Sequence, residues 1–352
     1  MTTASNMEFA TDLIAEASTY EESTHVAVSM TGQNTGIKMD AGAIVYIVIG
    51  ILGTIDNGIV VVTILNSKSM MSKVCNKLIL NQTLLDLTAS VFLVINCPPL
   101  APLESPSGVL GEIYCRIWVS NYFLWTALCG STFNLVAITI ERYFEVVHPL
   151  TYTKYFNQKS VRIIIAVVWG LSLSYLLVSN VYPSTVRDGV CQKISAFPSY
   201  TVATLISLIT FFLTFAIPVV IMIICYARMI MALRTRVDTN KPNLSQAEKK
   251  REEKMARIRR NLLKTLITVA VAFLACWILN QTLFLLFNLG VAIDLQGQFF
   301  GVSIYIVFLN SCINPFIYTF NYSEFQIALK KLFRIKSSLP ETETTTAVTN
   351  AN

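Results

Sequence analysis

Between Ala41 and Phe320 the chain holds seven apolar stretches, each long enough to cross a lipid bilayer. They are Ala41 to Leu65, Leu78 to Leu100, Ile117 to Ile140, Val161 to Val181, Val202 to Ala232, Leu262 to Val291, and Phe299 to Phe320. A hydrocarbon core takes about 20 helical residues to cross, and only helices or closed barrels leave no backbone group unsatisfied there. Barrel strands alternate polar and apolar residues, whereas these stretches are continuously apolar. The expected fold is an all-α membrane protein, a seven-transmembrane helix bundle. Charged residues make up 14% of the chain, against about 25% in soluble domains, which agrees with that reading.

Lys and Arg placement gives the orientation. Lys68, Lys73 and Lys77 follow the first stretch, and Lys154, Lys159 and Arg162 follow the third. The connector after the fifth carries Arg234, Lys249, Lys250, Arg251, Lys254, Arg257, Arg259 and Arg260. The other side is poorer in cations: Arg116, Arg187 and Lys193 are offset by Glu104, Glu112, Asp188 and Asp294. The richer side is expected to be cytoplasmic, with the N-terminus extracellular and the C-terminus cytoplasmic. The net charge of +6 does not point to nucleic acid, because the basic residues gather at span ends and form no single patch.

Residues 1–40 are polar and acidic (Glu8, Asp12, Glu16, Glu21, Glu22) and read as a disordered extracellular tail. No apolar run lies near Met1, so no cleavable signal peptide is expected. Residues 41–320 form the membrane domain. Within 321–336, Phe325, Leu329, Leu332 and Phe333 share one helical face beside Lys330, Lys331 and Arg334, which predicts a short amphipathic interfacial helix. Residues 337–352 are a Ser/Thr-rich cytoplasmic tail.

Polar residues inside the stretches carry the functional signal, since a charge at a helix centre costs about 2.5–3.5 kcal/mol on insertion scales. Asp86 lies in the middle of the second stretch and reads as an inward-facing carboxylate that holds a cation or a proton. Asp56, beside Asn57, either lines the bundle or sits at a helix contact. Glu141-Arg142-Tyr143 with His148-Pro149-Leu150 reads as an interfacial ion pair. In the last stretch, Pro315 removes an amide donor, and Asn310, Ser311 and Asn314 offer groups to rebind the freed carbonyl.

Taken together, these motifs resemble the rhodopsin-like (class A) G-protein-coupled receptors from about Ala41 to Arg334. The matching residues are Asn57, the Leu-x-x-x-Asp pattern ending at Asp86, Trp169, Pro218 with Tyr226, Phe273 with Cys276-Trp277, and Asn314-Pro315-x-x-Tyr318. The resemblance implies a receptor whose ligand, by binding one of two states more tightly, exposes an inner face to a heterotrimeric G protein. It implies that Glu141, Arg142, Tyr143, Pro149, Leu150, Tyr226 and Tyr318 form the G-protein interface and switch. Asp86, Ser131, Asn310, Ser311 and Asn314 then resemble a sodium pocket of hard oxygen ligands, and Pro218, Phe273, Trp277 and Pro315 an activation pivot. Cys115 and Cys191 both fall on the oxidising side and are expected to form a disulfide that pins the outer loop. No other cofactor is expected, and no catalytic residue: His25 and His148 supply neither a nucleophile nor a metal cluster.

Four positions depart from the family pattern. Leu279 replaces a usual proline in the sixth span, so its kink is expected to be weakened. Arg259 stands where many members have an acid, which is expected to leave Arg142 less tightly locked. Cys115 lies two residues further from Arg142 than usual, and Asp56 replaces a glycine.

The ligand is less legible. Phe299 to Phe320 contains no lysine for a retinal Schiff base, and Asn121, Tyr122, Phe123 and Leu124 offer no carboxylate to an amine. Aromatic and amide groups (Asn121, Tyr122, Trp125, Gln281 and Tyr305, with Tyr175 and Tyr182 nearby) are the pocket candidates, and a peptide or neutral small molecule is the expected ligand. The alternatives are a polytopic transporter, which would show internal repeats, or a chemosensory (odorant-type) receptor. Expected partners are the lipid bilayer of the plasma membrane, a G protein, a receptor kinase and arrestin. The last two would act through Ser337, Ser338, Thr342, Thr344, Thr345 and Thr346.

Overall fold

The computed structural model describes residues 41–97, 108–187, 189–192, 197, 199–238, 246–294 and 297–334; for 200, 234–238, 247–259 and 262 it describes the backbone alone. The expected tails at 1–40 and 337–352 lie outside the described residues. Seven helices are long and apolar enough to cross a membrane. They are α1 (Ala41–Leu65), α2 (Val74–Ile95), α3 (Tyr122–Val147), α4 (Gln158–Leu176), α5 (200–238), α6 (Gln246–Asn288) and α7 (Gln298–Asn321). The amphipathic α8 (Ser323–Leu332) follows after one extended residue, Tyr322, and buries Phe325. A two-stranded hairpin, β1 (Thr185–Arg187) against β2 (Val190–Gln192), is the one sheet among the described residues.

Some boundaries differ from the sequence expectation. α2 begins at Val74 and ends at Ile95, where Leu78 to Leu100 was expected. Its start lies outside the apolar window because Asn76 and Lys77 are polar, and its end falls just before Cys97-Pro98, since a proline disfavours helix in the preceding residue. α8 is shorter than 321–336, since Asn321 completes α7 and Arg334 takes a positive φ of 53°.

The outer extension of α3 explains the displaced Cys115. Val109–Ile113 is helical, Tyr114–Val119 is π-helical, and Asn121 is left-handed with φ 56° before α3 proper begins. A π segment packs extra residues into the same length of helix, and asparagine tolerates the left-handed region better than most residues. The two additional residues are absorbed there, and Cys115 still reaches Cys191 with a Cα–Cα distance of 5.4 Å.

Proline sets the other irregularities. Pro218 cannot donate an amide hydrogen, and α5 runs through the π-helical segment Phe212–Ala216 just before it. In α7, Pro315 frees the carbonyl of Ser311. The sequence pointed to groups of α7 itself to rebind it, but the partner is Asn57 of α1, whose Nδ2 donates to that oxygen at 2.8 Å. α6 carries Leu279 instead of proline and is one α-helix of 43 residues.

The bundle closes through small residues, as lipid-embedded helices do when dispersion rather than hydrophobicity drives their contact. A Cβ on Gly50 would meet Val94 Cγ2 at 2.5 Å and the Ser90 carbonyl at 3.0 Å, and one on Gly53 would meet Cys312 Sγ at 3.0 Å. Gly130 of α3 sits against Leu85 and Ser172 in the same manner. On the opposite face of α1, Val48, Leu52, Ile55 and Val62 are exposed, as befits a lipid-facing stripe. Gly53→Val is expected to destabilise the purified protein by about 1–3 kcal/mol in a thermal unfolding assay, the usual cost of overpacking. Gly58→Val, with no atom within 4 Å of the added Cβ, is expected to leave the midpoint unchanged.

Candidate functional site

Midway through the bundle, Asp86 is fully buried. Its Oδ1 accepts from Ser131 of α3 at 2.9 Å, and its Oδ2 from Asn314 of α7 at 2.8 Å. Gln82, one turn earlier on α2, lies 3.3–3.4 Å from both oxygens and hydrogen-bonds Ser131 as well. The layer continues sideways: Asn134 donates to Gln82 Oε1 and to the Leu78 carbonyl, each at 2.9 Å, while Asn81 donates to Asn134 and accepts from Trp169 of α4. Four helices are thereby joined through side chains that have no water to fall back on. Asn81, Gln82 and Asn134 were not singled out from the sequence, although a polar residue within an apolar span was the signal that found Asp86.

Of the five sodium-pocket residues, Ser131 and Asn314 contact Asp86. Asn310 and Ser311 are buried beside them without a hydrogen bond to that carboxylate, and Ser311 Oγ has no partner at all. The carboxylate and the Ser131 hydroxyl oxygen are hard donors of the kind a small cation takes, whereas Asn314 faces the carboxylate with its Nδ2 hydrogen and would have to turn its oxygen to join them. Among the described residues no three of His, Cys, Asp and Glu are grouped so as to hold a metal ion.

At the far end of α3, Arg142 is only 7% exposed and is gripped within its own helix. Nη2 reaches Glu141 Oε1 at 2.6 Å, Nε pairs with the other oxygen of Glu141, and Nη1 pairs with Glu145. Tyr152, in the short helix Pro149–Tyr155, donates to Glu141 at 2.6 Å. Burial, and then the Glu141 carboxylate, hold the Tyr152 phenol above its ordinary value, so it remains a donor. The expectation of a loosely held Arg142 is thus corrected: Glu145, one turn along α3, supplies a second acid, while the side chain of Arg259 lies outside those described. Tyr226 is hydrogen-bonded to Thr139 at 3.1 Å and to the Leu266 carbonyl at 3.3 Å, and Tyr318 is buried in the core. Tyr143 meets His148 at 3.2 Å, Pro149 opens the short helix, and Leu150 is 95% exposed. Lys73 pairs with Glu324 of α8, and Lys77 with Gln158 of α4, so this rim is stitched across three connectors.

Toward the disulfide, Phe273 and Trp277 lie 5.8 Å apart with Phe215 of α5 behind them, and Pro218 and Pro315 are both buried. Above them an aromatic cluster joins three helices: Tyr46 to Tyr305 at 4.9 Å, Tyr46 to Phe308 at 5.6 Å, and Trp125 to Phe308 at 6.1 Å. Gln281 is buried with Oε1 unpartnered, and Asn121 accepts from Asn96 at 2.8 Å. The Tyr122 hydroxyl donates to the Leu173 carbonyl at 3.0 Å and its ring packs with Cys129 and Leu176, which makes it a contact between α3 and α4. Tyr175 likewise spans to Thr210 of α5 at 2.5 Å. Glu112 caps this end, bonded to the Val186 amide at 3.1 Å and to Arg116 at 2.9 Å, which holds the hairpin beside the disulfide.

This geometry agrees with comparisons to known proteins. The model of the 7 transmembrane receptor (rhodopsin family) matches residues 56–318. The chain therefore belongs to the rhodopsin family of seven-transmembrane receptors; it is a multi-pass membrane receptor and not an enzyme. Galanin receptor 2a of Danio rerio is 28% identical over 300 residues, covering 83% of this chain and 77% of that protein. Trace amine-associated receptor 9 of Rattus norvegicus is 28% identical over 323 residues, covering 84% and 90%. The Tachykinin-like peptides receptor 86C of Drosophila melanogaster is 27% identical over 306 residues, covering 82% and 58%. Squid rhodopsin shares the fold, with a TM-score of 0.68 at 19% identity over 86% of this chain and 91% of its own.

Asn134→Ala is expected to strip partners from Asn81, Gln82 and the Leu78 carbonyl together. Each stranded group costs about 1–3 kcal/mol, and thermal unfolding should show a loss of at least that size. Ser174→Ala, which removes only exposed bonds to carbonyls within α4, is expected to change little.

Proposed function

We propose that this receptor takes an extracellular peptide or neutral small molecule and activates a heterotrimeric G protein at the Arg142 end of the bundle. The observation that carries the second half of the reading is the ionic grip on Arg142, a buried cation held by Glu141 and Glu145 at the edge of the membrane domain. A buried charge held this way is stable in one state and available to a partner in another. Tyr226 and Tyr318 stand on α5 and α7, ready to approach it, while exposed Leu150 offers an apolar contact to the same partner. The surplus of Lys and Arg in the connectors at this end supports a cytoplasmic placement, with the N-terminus outside the cell.

Support for the ligand class comes from two directions. Trp125, Gln281 and Tyr305 provide aromatic and amide surface near the disulfide end, with no carboxylate among Asn121, Tyr122, Phe123 and Leu124. Relatives named for galanin and for tachykinin-like peptides share about the same identity as the one named for trace amines. Binding that repacks the Phe273–Trp277 pair would reach Asp86 through α7, and a sodium ion held by Asp86, Ser131 and Asn314 would favour the unliganded arrangement. Receptor kinases and arrestin acting on the Ser/Thr-rich tail complete the proposal.

Guanine-nucleotide exchange on purified G proteins tests this reading, and Arg142→Ala is expected to abolish it. Glu145→Gln removes one charge-assisted bond, worth about 1.5–3 kcal/mol, and is expected to raise ligand-independent exchange about tenfold; unchanged basal exchange would count against the grip as a lock. A chain truncated after Lys336 is expected to internalise more slowly on stimulation, and normal internalisation would exclude the tail from that role.

A further inference from the structure

The hairpin β1–β2 is joined to the bundle at more than its disulfide, and the joints share one short stretch of chain. Glu112, Cys115 and Arg116 follow one another at i, i+3 and i+4 along the helical segments Val109–Ile113 and Tyr114–Val119, a spacing that puts them on one face. Cys115 holds β2 through Cys191. Directly across the ladder from Cys191 stands Val186 of β1, and its amide donates to Glu112 Oε1 at 3.1 Å. Alternate residues of an antiparallel strand turn their amides out of the ladder, so Glu112 takes up an edge donor of β1 that β2 does not use. The Thr185 hydroxyl adds a bond to the same oxygen at 3.2 Å. Arg116 then links Glu112, at 2.9 Å, to the carbonyls of Val181 and Tyr182, at 3.3 and 3.2 Å. Those carbonyls lie where the segment Leu177–Val181, which extends α4, runs out, and a guanidinium is a suitable cap for a helix end.

A single covalent tether leaves the hairpin able to turn about it. A second tether on the neighbouring strand, at the residue facing the first, removes that freedom. An exposed ion pair by itself contributes little, and the Glu112 and Arg116 side chains are 36% and 34% exposed. What this pair holds is main chain, at the entry to the hairpin and on its first strand, so each bond it makes fixes the loop itself.

We propose that Glu112 and Arg116 are positioning residues that hold the hairpin in place independently of the Cys115–Cys191 disulfide. The hairpin is then a fixed wall at the disulfide end of the bundle, and an incoming ligand meets it already placed. The mount stands on these contacts alone; its bearing on the ligand rests on the binding end proposed above.

Hydrogen exchange of the full-length receptor in lipid nanodiscs tests this, read at the Val186 amide by fragmentation mass spectrometry before and after the disulfide is reduced. In the wild type, Val186 is expected to stay protected after reduction. Glu112→Ala is expected to speed exchange there about tenfold with the disulfide intact, the effect that one hydrogen bond to a charged group implies. Exchange within α2 and the thermal midpoint are expected to stay unchanged, which separates a local mount from a general loss of stability. Arg116→Ala is expected to act in the same direction and serves where Glu112→Ala expresses poorly. The proposal is overturned if reduction alone deprotects Val186 in the wild type. It is equally overturned if Glu112→Ala, or Arg116→Ala in its place, leaves that amide as slow as before. Nucleotide exchange is no part of this readout, so failure of the mount and failure of the receptor reading give different results.

Discussion

The bundle depends on satisfying one carboxylate where there is no water. Asp86 lies at the centre of α2, and leaving it unpaired in lipid would be costly on any scale. Ser131 and Asn314 satisfy it from α3 and α7, and in doing so they set the rotation of both helices about their own axes. Gln82 and Asn134 extend the layer to Asn81 and Trp169, which draws in α4. Apolar side chains alone would not choose between neighbouring rotations, since lipid is as apolar as they are. The polar layer makes that choice, and the regions on either side of it inherit their alignment.

Above and below the layer, the helices are irregular where the backbone must adapt. Pro315 leaves the Ser311 carbonyl without its amide, and α1 supplies the replacement through Asn57. The glycines at 50 and 53 allow α1 to come close enough to do so. π-helical turns in α3 and α5 accommodate the extra residues and Pro218 without breaking the spans. Such joints are where a packed bundle can move between two arrangements with little disturbance to its core. α6, an uninterrupted helix, has no such joint at Leu279.

Arg142 illustrates how a departure in sequence can be offset nearby. With a basic residue at 259, the grip on the guanidinium comes from Glu141 and Glu145 of α3 itself, steadied by Tyr152. Family membership and fold are thus well anchored, while the aromatic and amide side chains around Trp125 and Tyr305, the proposed place of ligand recognition, are of a kind that many ligands would suit.

The seven spans, the amphipathic helix after them and the presence of Asp86, Arg142 and Pro315 were legible from residue order alone. Lipid penalises each polar residue separately, and a helix satisfies its backbone locally, so span and motif can be read without knowing any neighbour. What only the tertiary structure decided was partnership. Asn57 bonds a carbonyl 254 residues away, Tyr122 hydrogen-bonds a carbonyl of α4, Glu145 takes up Arg142, and a π segment with a left-handed Asn121 brings Cys115 into register. Those outcomes depend on how helices rotate and approach one another, which is a property of the packed bundle and not of any stretch of chain.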